Sequence, residues 1–424
     1  MRFNTLPEWL AWQEGLHTAE IDMGLVRVQR VAERLDLLSP AAKVLTVAGT
    51  NGKGSCVATV EAICLDQNVS VGTFTSPHLL RYNERIRLNG VEVSDKLLCE
   101  SFERIDQARG DTSLTYFEFG TLAAIDIITR AGVELMVLEV GLGGRLDAVN
   151  IIDADVAVVT SIAIDHEEWL GSDISVIGHE KAGIYRPHQW AICADEQAPE
   201  SVADYAHNIG AYWVAMGMSM NVSMQGDEHG EDRAWTWSGV TDDGDLLQLQ
   251  DLPIPSLPLP SVAAALQAWV LLGNELPTNV ATLVAGLHLS GRAEMRSFKG
   301  VELLLDVAHN PAAAELLAER LSAQPPHGRT LAVVAMMADK DRMNVLQPLI
   351  PHVADWFVAG LPQNSRAATG PQLAENLAAL GQQAQVCNEV GEALQAAVDE
   401  AGEYDRVLVM GSFFTVAAAL QWVQ

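Results

Sequence analysis

The stretch VLTVAGTNGKGSCVATVE at residues 44–61 constrains the fold of this chain more than any other. An apolar run from Val44 to Ala48 is interrupted by glycines, and a helical pattern begins at about Ser55. This order predicts a strand, a phosphate-binding loop and a helix. A strand that leads through such a loop into a helix is typical of α/β proteins that bind nucleotides.

The loop has the components that a triphosphate requires. It consists of Gly49, Thr50, Asn51, Gly52, Lys53, Gly54 and Ser55. Glycines let backbone N–H groups point at anionic oxygens, Lys53 can neutralise β/γ-phosphate charge, and Ser55 can face the nucleotide or its metal. The common motif places Ser or Thr directly after the lysine, whereas Gly54 intervenes here. The alternative is a glycine turn that only joins strand to helix, and a lysine there disfavours it.

The composition indicates a soluble globular protein. The chain has 424 residues, enough for two or three domains, and 49% of them are hydrophobic. It has no run of about 18 apolar residues, and Glu8 and Glu14 interrupt the apolar positions near the N-terminus. We therefore expect neither a membrane span nor a signal peptide, and a cytoplasmic location. Five widely spaced cysteines without a CxxC pair indicate reduced thiols.

The formal net charge of −29 argues against nucleic acid or an anionic membrane as a partner. We expect a monomer that acts on small molecules. If those molecules are anions, lysines and arginines must be gathered at the site. Arg81, Arg85 and Arg87 supply such a cluster, although a solvated strand face explains them equally well.

Further polar residues follow predicted strands. The strand at 69–74 leads to Ser76 and His78, the strand at 134–140 carries Glu139 near its end, and the strand at 155–164 leads to Asp165 and His166. Strand ends on one rim of an open α/β sheet are where sites form, and an acid there suits Mg²⁺. A lone histidine is more often packed or capping, and Lys181 by itself resembles a surface lysine.

The rest of the chain predicts antiparallel strands or loops at 215–250, an extended connector at 252–260 and a helix at 262–272. Strands and helices then alternate again, with strands at 301–307, 330–337, 356–359 and 406–409. This pattern predicts a second α/β domain with a mostly parallel sheet. We place the domains at residues 1–289 and 290–424.

Nine motifs, in order along nearly the whole chain, resemble those of the bifunctional dihydrofolate synthase/folylpolyglutamate synthase family within the Mur ligase superfamily. They are AGTNGKGS at 48–55, SPHL at 76–79, LTYFEFGTLAA at 114–124, LEVGLGGRLDAVN at 138–150, TSIAIDH at 160–166, EKAGI at 180–184, DVAHNP at 306–311, DKD at 339–341 and GSF at 411–413. The resemblance implies a P-loop ATPase-type central domain of the Mur ligase kind, which includes the pterin site, followed by a Rossmann-like C-terminal domain.

The resemblance also implies site residues. The loop 49–55 would bind ATP with Arg292 and Asp306, and Ser76, Glu139 and His166 would hold Mg²⁺. Lys181 would be a carbamylated lysine that serves a second Mg²⁺. The remaining implied contacts are those to the pterin, Met23, Thr115, Phe117 and Asp147, and those near the incoming glutamate, His309 and Ser412. From the arginine cluster, we expect Arg81 to bind the substrate. One departure is that Pro260-Ser261-Val262 replaces a family asparagine, so that this nucleotide contact is lost or supplied by Ser261.

The implied activity is ATP-dependent ligation of L-glutamate to 7,8-dihydropteroate and tetrahydrofolate through an acyl phosphate. Catalysis would fall to Lys53, Lys181 and His309, with His309 assisting or positioning the amine. Three alternatives stay open at this point. They are a monofunctional folylpolyglutamate synthase, a Mur-type peptidoglycan ligase, and a nucleotide switch that forms no amide.

Overall fold

The computed structural model describes residues 2–226 and 233–423, which form two compact units. The first comprises residues 2–226 and 233–287, and the second comprises residues 288–423. The relatively long first unit holds the phosphate loop, and each unit has its own hydrophobic core.

The first unit alternates helices and strands along most of its length. Its helices are α1 (Leu6–Glu14), α2 (Val26–Arg34), α3 (Lys53–Asp66), α4 (Asp95–Arg109), α5 (Tyr116–Ala131), α6 (Glu167–Leu170), α7 (Ile174–Ala182), α8 (Glu200–Ile209), α9 (Leu259–Leu271) and α10 (Val280–Ala285). Its strands are β1 (Lys43–Ala48), β2 (Val71–Phe74), β3 (Ile86–Leu88), β4 (Val91–Glu92), β5 (Leu135–Glu139), β6 (Val156–Val159), β7 (Trp190–Cys193), β8 (Tyr212–Ala215), β9 (Asn221–Gln225), β10 (Ala234–Val240) and β11 (Leu246–Pro253). Short 3-10 helices lie at Tyr82–Arg85 and Ala148–Ile151.

The main sheet of the first unit has the order β4-β3-β2-β5-β1-β6-β7-β8. Strands β2, β5, β1, β6, β7 and β8 run parallel, and within the described residues the antiparallel pairings of this sheet are those of β3 with β2 and with β4 at one edge. Strands β5 and β6 are buried throughout, as expected for parallel strands covered by helices on both faces. The carboxyl ends of β2, β5, β1 and β6 therefore meet at one rim.

Three element boundaries differ from the sequence-based expectations. Strand β6 ends at Val159 rather than continuing to Ile164, because residues 160–163 turn to hydrogen-bond with the phosphate loop. Helix α3 begins at Lys53 rather than at about Ser55. Helix α9 begins at Leu259 rather than at residue 262. Pro260 is tolerated in its first turn, because backbone N–H groups there have no acceptor within the helix.

The predicted antiparallel segment corresponds to strands β9, β10 and β11, which form a separate sheet in the order β11-β10-β9. The expectation of antiparallel strands is therefore confirmed for the described part of 215–250, and residues 227–232 of that range lie outside the described residues. The predicted connector is shorter than expected, because β11 extends to Pro253.

The second unit is a smaller α/β layer structure. Its strands are β12 (Glu294–Phe298), β13 (Val301–Asp306), β14 (Thr330–Val334), β15 (Asp355–Gly360), β16 (Ala384–Glu389) and β17 (Arg406–Met410). Its helices are α11 (Pro311–Ala323), α12 (Arg342–Leu346), α13 (Gly370–Ala379), α14 (Val390–Glu400) and α15 (Phe413–Val423), with a 3-10 helix at Gln347–His352. The sheet order is β12-β13-β17-β14-β15-β16, and all neighbours except β12 and β13 are parallel.

The predicted α/β architecture with mostly parallel sheets is confirmed in both units. Within residues 2–226 and 233–423, every helix is too short or too polar to cross a membrane.

Buried Asp126 on α5 anchors helix α4 to the core. Its carboxylate accepts hydrogen bonds from Arg104 Nη2, Arg130 Nε and Ser101 Oγ, each at 2.6 Å. Burial alone raises the pKa of Asp126, but these hydrogen bonds outweigh it and hold the pKa below its ordinary value. Their stabilisation is therefore present above the unfolded-state pKa and is lost as the pH falls through the folded-state pKa.

We expect Asp126→Ala to lower the free energy of unfolding by about 3 kcal/mol at neutral pH, because removing one partner of a buried ion pair leaves the others uncompensated. Denaturant unfolding measures this change. The matched control is Asp153→Ala, because Asp153 pairs with Arg186 but its side chain is 82% exposed. The control should change the unfolding free energy by less than about 1 kcal/mol. Equal effects of the two substitutions would contradict the assigned role of Asp126.

Candidate active site

The phosphate loop joins β1 to α3 at the carboxyl rim of the first sheet. Gly49 and Gly52 have φ values of +148° and +86°. A Cβ on Gly49 would lie 2.0 Å from Thr160 Oγ1, and one on Gly52 would lie 2.2 Å from Ser261 Oγ. These positions therefore require glycine both for conformation and for space. Ser261, at the departure from the family pattern, thus lies against the loop.

The segment 160–163 holds the loop in shape. Thr50 N donates to Ser161 O at 2.7 Å, and Asn51 N donates to Ser161 Oγ at 2.9 Å. The carbonyl oxygen of Asn51 accepts from Thr160 Oγ1 at 2.7 Å and from Ser161 Oγ at 3.0 Å. Thr50 Oγ1 accepts from Ala163 N at 3.0 Å. A loop with this many fixed groups is preorganised for an anion.

The sequence analysis gave Thr160 and Ser161 no role of their own. The available signal was a pair of hydroxyl residues directly after a strand and four residues before Asp165-His166. That pattern did not reveal that the pair contacts the neighbouring loop, because the contact depends on β1 and β6 being adjacent in the sheet.

Lys53 lies over the loop. Its Nζ donates to Gly49 O at 3.0 Å and to Thr50 O at 3.2 Å. Its charge also acts on Asp147 and Lys181, since it lowers the pKa of both groups. The ammonium group of Lys53 is therefore a shared cation of this rim.

Ser76 and Glu139 come together from β2 and β5, which are neighbours in the sheet. Ser76 N donates to Glu139 Oε2 at 3.2 Å, and the Glu139 residue is 5% exposed. A nearly buried carboxylate supplies the hard oxygen ligands that Mg²⁺ prefers. His166, in a left-handed conformation with φ of +54°, follows β6 on the same rim and precedes α6.

Lys181 is buried at 4% exposure near the end of α7, so its interpretation as a surface lysine was wrong. Burial first and the charge of Lys53 second lower the pKa of Lys181 to about 7, although Asp165 and Glu180 oppose the shift. A substantial fraction of its amine is therefore neutral near pH 7. Such a lysine is a nucleophile, as functional lysines in buried sites commonly are.

The loop 141–147 lies against α7. A Cβ on Gly144 would be 2.7 Å from Glu180 O and 2.8 Å from Lys181 O, so only glycine allows this contact. The Asp147 carboxylate accepts from the backbone N–H groups of Gly141, Leu142 and Val149 at 3.1, 2.9 and 2.9 Å. Burial nevertheless dominates and raises the pKa of Asp147 to about 6.

The other residues assigned to the pterin surround this loop. Phe117 contacts Gly141, where a Cβ would lie 2.4 Å from Phe117 Cζ, and its ring centroid is 6.0 Å from that of Phe74. A Cβ on Gly143 would lie 3.5 Å from Met23 Cε. Thr115 is the N-cap of α5, and its Oγ1 accepts from Glu118 N at 3.1 Å.

In the second unit, the assigned residues gather at the carboxyl ends of the adjacent strands β13 and β17. The Asp306 carboxylate accepts from Ala293 N and Ala308 N at 2.8 Å each. Burial raises the pKa of Asp306, and the nearby Arg292 opposes this shift. The Arg292 guanidinium lies 5.3 Å from the ring centroid of Phe413, a cation–π contact that sequence reasoning had not anticipated.

His309 and Ser412 lie on the same rim. His309 Nδ1 is 2.8 Å from Val307 O, so Nδ1 carries the donated proton and Nε2 of the neutral ring is an acceptor. Ser412 Oγ accepts from Thr415 N at 3.0 Å and is 2.6 Å from Thr415 Oγ1. In the neutral ring, Nε2 is thus the nitrogen that can accept a proton, whereas the Ser412 hydroxyl caps α15.

The chain matches two models of the Mur ligase superfamily. Residues 47–237 match the Mur ligase middle domain, and residues 291–413 match the Mur ligase glutamate ligase domain. The dihydrofolate synthase/folylpolyglutamate synthase of Escherichia coli is 44% identical over 417 residues, which cover 98% of this chain and 95% of that protein. The chain belongs to the dihydrofolate synthase/folylpolyglutamate synthase family.

Other members of the family agree along their full length. The Haemophilus influenzae dihydrofolate synthase/folylpolyglutamate synthase is 36% identical, with 97% of this chain and 96% of that protein covered. The structure of E. coli FolC in complex with DHPP and ADP has a TM-score of 0.92 at 44% identity and covers 99% of this chain and 97% of that one. The Yersinia pestis enzyme complexed with AMPPNP and Mn ion has a TM-score of 0.90 at 42% identity, with 99% and 98% covered. The family resemblance and the ligase class inferred from the sequence are confirmed.

We expect Lys53→Ala to reduce kcat by roughly 100-fold or more, because loss of one preorganised charge contact to a reacting phosphoryl group has this size. Steady-state ADP release with saturating substrates measures the change. Lys96→Ala is the control, since Lys96 is 85% exposed and pairs with Glu100 at the surface. Retention of near-full turnover by Lys53→Ala would show that this lysine does not serve the triphosphate.

Proposed function

We propose that this protein adds L-glutamate to 7,8-dihydropteroate, giving dihydrofolate, and to tetrahydrofolate, giving folylpolyglutamates, with ATP as the energy source. One observation carries the proposal. The phosphate loop, the Ser76–Glu139 pair and the 141–147 loop meet at one sheet rim, in a chain that matches its family end to end. The GLGGRLD loop and the helix that follows Thr115 favour a pterin acceptor over a peptidoglycan precursor.

ATP overcomes a chemical difficulty of amide formation. A carboxylate does not react with an amine near neutral pH because oxide is a poor leaving group. The acceptor carboxylate attacks the γ-phosphorus of ATP, the bond to the β-phosphate oxygen breaks, and ADP leaves from an acyl phosphate. The deprotonated glutamate amine then attacks the acyl carbon, and the tetrahedral intermediate expels inorganic phosphate.

Both steps concentrate negative charge on phosphoryl oxygens, so the main task of the protein is electrostatic. The N–H groups of the loop 49–55, the positive end of α3 and Lys53 face that charge. In the second unit, Arg292 and Asp306 are the proposed nucleotide contacts, and Ser261 stands in for the family asparagine beside Gly52. His309 Nε2 is the proposed acceptor of the proton from the glutamate ammonium, with Ser412 near the same substrate.

Magnesium fits the residues of the first rim. Ser76, Glu139 and His166 are the proposed ligands for one ion, and a carbamate on Lys181 serves the second. Mg²⁺ supplies charge neutralisation to the triphosphate when it is bound. In the described part of the chain, no three His, Cys, Asp or Glu side chains form a ready metal cluster. A carbamate on Lys181 would add a metal ligand, because it replaces the lysine cation with an anionic oxygen donor.

The burial of Lys181 supports this modification. Carbon dioxide reacts with a neutral amine and not with an ammonium ion, and the pKa of about 7 leaves neutral amine available. For pterin binding we propose Met23, Thr115, Phe117, Asp147 and Arg81.

We further propose that the protein acts in the cytoplasm as a monomer, on small molecules rather than on nucleic acid or a membrane. The net charge of −29 supports the choice of small-molecule partners, because nucleic acids and anionic lipid surfaces require a positive face on the protein.

The direct test omits each substrate in turn. We expect phosphate release from ATP only when L-glutamate and either dihydropteroate or tetrahydrofolate are present together, with an amide product confirmed by mass. Amide formation with tetrahydrofolate but not with dihydropteroate as the acceptor would instead identify a monofunctional folylpolyglutamate synthase. Phosphate release that continues without any pterin, and without amide product, would support a nucleotide switch.

We expect Lys181→Ala to fold but to lose turnover by roughly 100-fold or more, since an anionic group that preorganises the phosphoryl site is missing. A small carboxylic acid such as acetate or propionate should restore part of the activity by occupying the space of the carbamate. Circular dichroism checks the fold. Unchanged activity of the unsupplemented variant would remove the carbamate from the mechanism.

A further inference from the structure

Two of the three clustered arginines after β2 have acidic partners. The Arg81 side chain is 64% exposed and lies 3.9 Å from Glu92 and 3.8 Å from Asp95. Arg87 pairs with Glu61, whose carboxylate is almost fully buried on α3. The charge of Arg87 therefore balances a buried acid, and the guanidinium of Arg81 already faces two acids.

Arg85 differs from both neighbours. Its guanidinium lies 5.2 Å from the ring centroid of Tyr82 and 5.7 Å from that of Tyr116. Its Nε donates to His78 Nδ1 at 2.8 Å. Among the described residues, no carboxylate lies within 4 Å of this guanidinium, and its two Nη groups make no hydrogen bond. Arg85 is thus a half-buried, oriented cation without an anionic partner.

The surroundings of Arg85 connect it to the acceptor side of the site. His78 follows the proposed metal ligand Ser76 by two residues, and Tyr116 lies between Thr115 and Phe117 in sequence. The Arg85 guanidinium lies over the Tyr82 ring, whose centroid is 5.8 Å from that of Tyr116 at the start of α5. Arg85 therefore borders the same elements that carry the proposed pterin contacts.

The two proposed acceptors differ in their carboxylates. Dihydropteroate has one carboxylate, and that carboxylate must attack phosphorus. A folate that ends in glutamate has a reacting γ-carboxylate and, in addition, an α-carboxylate that does not react. An arginine fork fixed on aromatic rings suits the non-reacting group, since a firm bidentate contact with the nucleophile would hold it back from attack.

We infer that Arg85 binds the α-carboxylate of the terminal glutamate of folate acceptors and so supports chain extension but not dihydrofolate formation. This inference rests on the proposed function. A protein of net charge −29 repels an anionic folate tail unless a cation lies at the binding site, and Arg85 would supply that cation.

The experiment compares Arg85→Met with the unaltered enzyme on both acceptors in one preparation. We expect the KM of Arg85→Met for tetrahydrofolate to rise roughly 10-fold or more, because a hydrogen-bonded charge contact is lost. Its KM for dihydropteroate should stay within about twofold of that of the unaltered enzyme. Arg85→Lys keeps the charge without the fork and should recover part of the loss. Arg2→Met is the matched control, because Arg2 also lies over a ring, that of Trp12, and pairs with Asp106.

A second acceptor isolates the α-carboxylate itself. Tetrahydropteroyl-4-aminobutyrate keeps the reacting carboxylate of the folate tail but lacks the α-carboxylate. The unaltered enzyme should bind this analogue about as poorly as Arg85→Met binds tetrahydrofolate, and Arg85→Met should not weaken its binding further.

The inference is overturned if Arg85→Met impairs both acceptors equally, which would indicate a structural role or a contact with the reacting carboxylate. It is also overturned if neither KM changes, or if the variant weakens the analogue as much as tetrahydrofolate. Failure of the proposed function has a different signature, because the unaltered enzyme would then form no amide with any acceptor.

Discussion

The hydrogen bonds between the phosphate loop and residues 160–163 are the constraint on which the rest of the site depends. They fix the loop through the carbonyl of Asn51 and the hydroxyls of Thr50, Thr160 and Ser161, before any ligand contributes. The bonds are possible only because β6 lies beside β1, so that the end of one strand reaches the loop of the other. Sheet order thereby sets the geometry of the anion site.

Charge balance gives this rim its second property. Burial lowers the pKa of Lys181, and the positive charge of Lys53 adds to this shift. Two close cations are costly unless anions join them, which favours the binding of a triphosphate at this rim. Conversion of Lys181 to a carbamate would relieve the same repulsion by removing one cation. Substrate binding and the proposed carbamylation of Lys181 would therefore relieve the same electrostatic repulsion.

Each unit places its proposed residues by the same rule. In the first, the phosphate loop follows β1, Ser76 follows β2, Glu139 is the last residue of β5, and His166 follows β6. In the second, Asp306 is the last residue of β13, His309 follows that strand, and Ser412 follows the adjacent strand β17. Parallel strands deliver their carboxyl ends to one edge, so residues far apart in sequence become neighbours. The ring of Phe413 contacts both Arg292 and His309 and so links these two residues.

The sequence by itself determined the fold class, the phosphate loop and the family, because apolar runs, glycine spacing and motif order are local properties of the chain. It overestimated β6 and missed the exposed strand β16, whose pattern lacks a buried apolar run. Only the tertiary structure decided that Lys181 is buried, that Thr160 and Ser161 hold the loop, and that Arg85 alone of three similar arginines lacks an acidic partner among the described residues. Burial and ion pairing depend on residues from distant strands, and a linear pattern does not specify them.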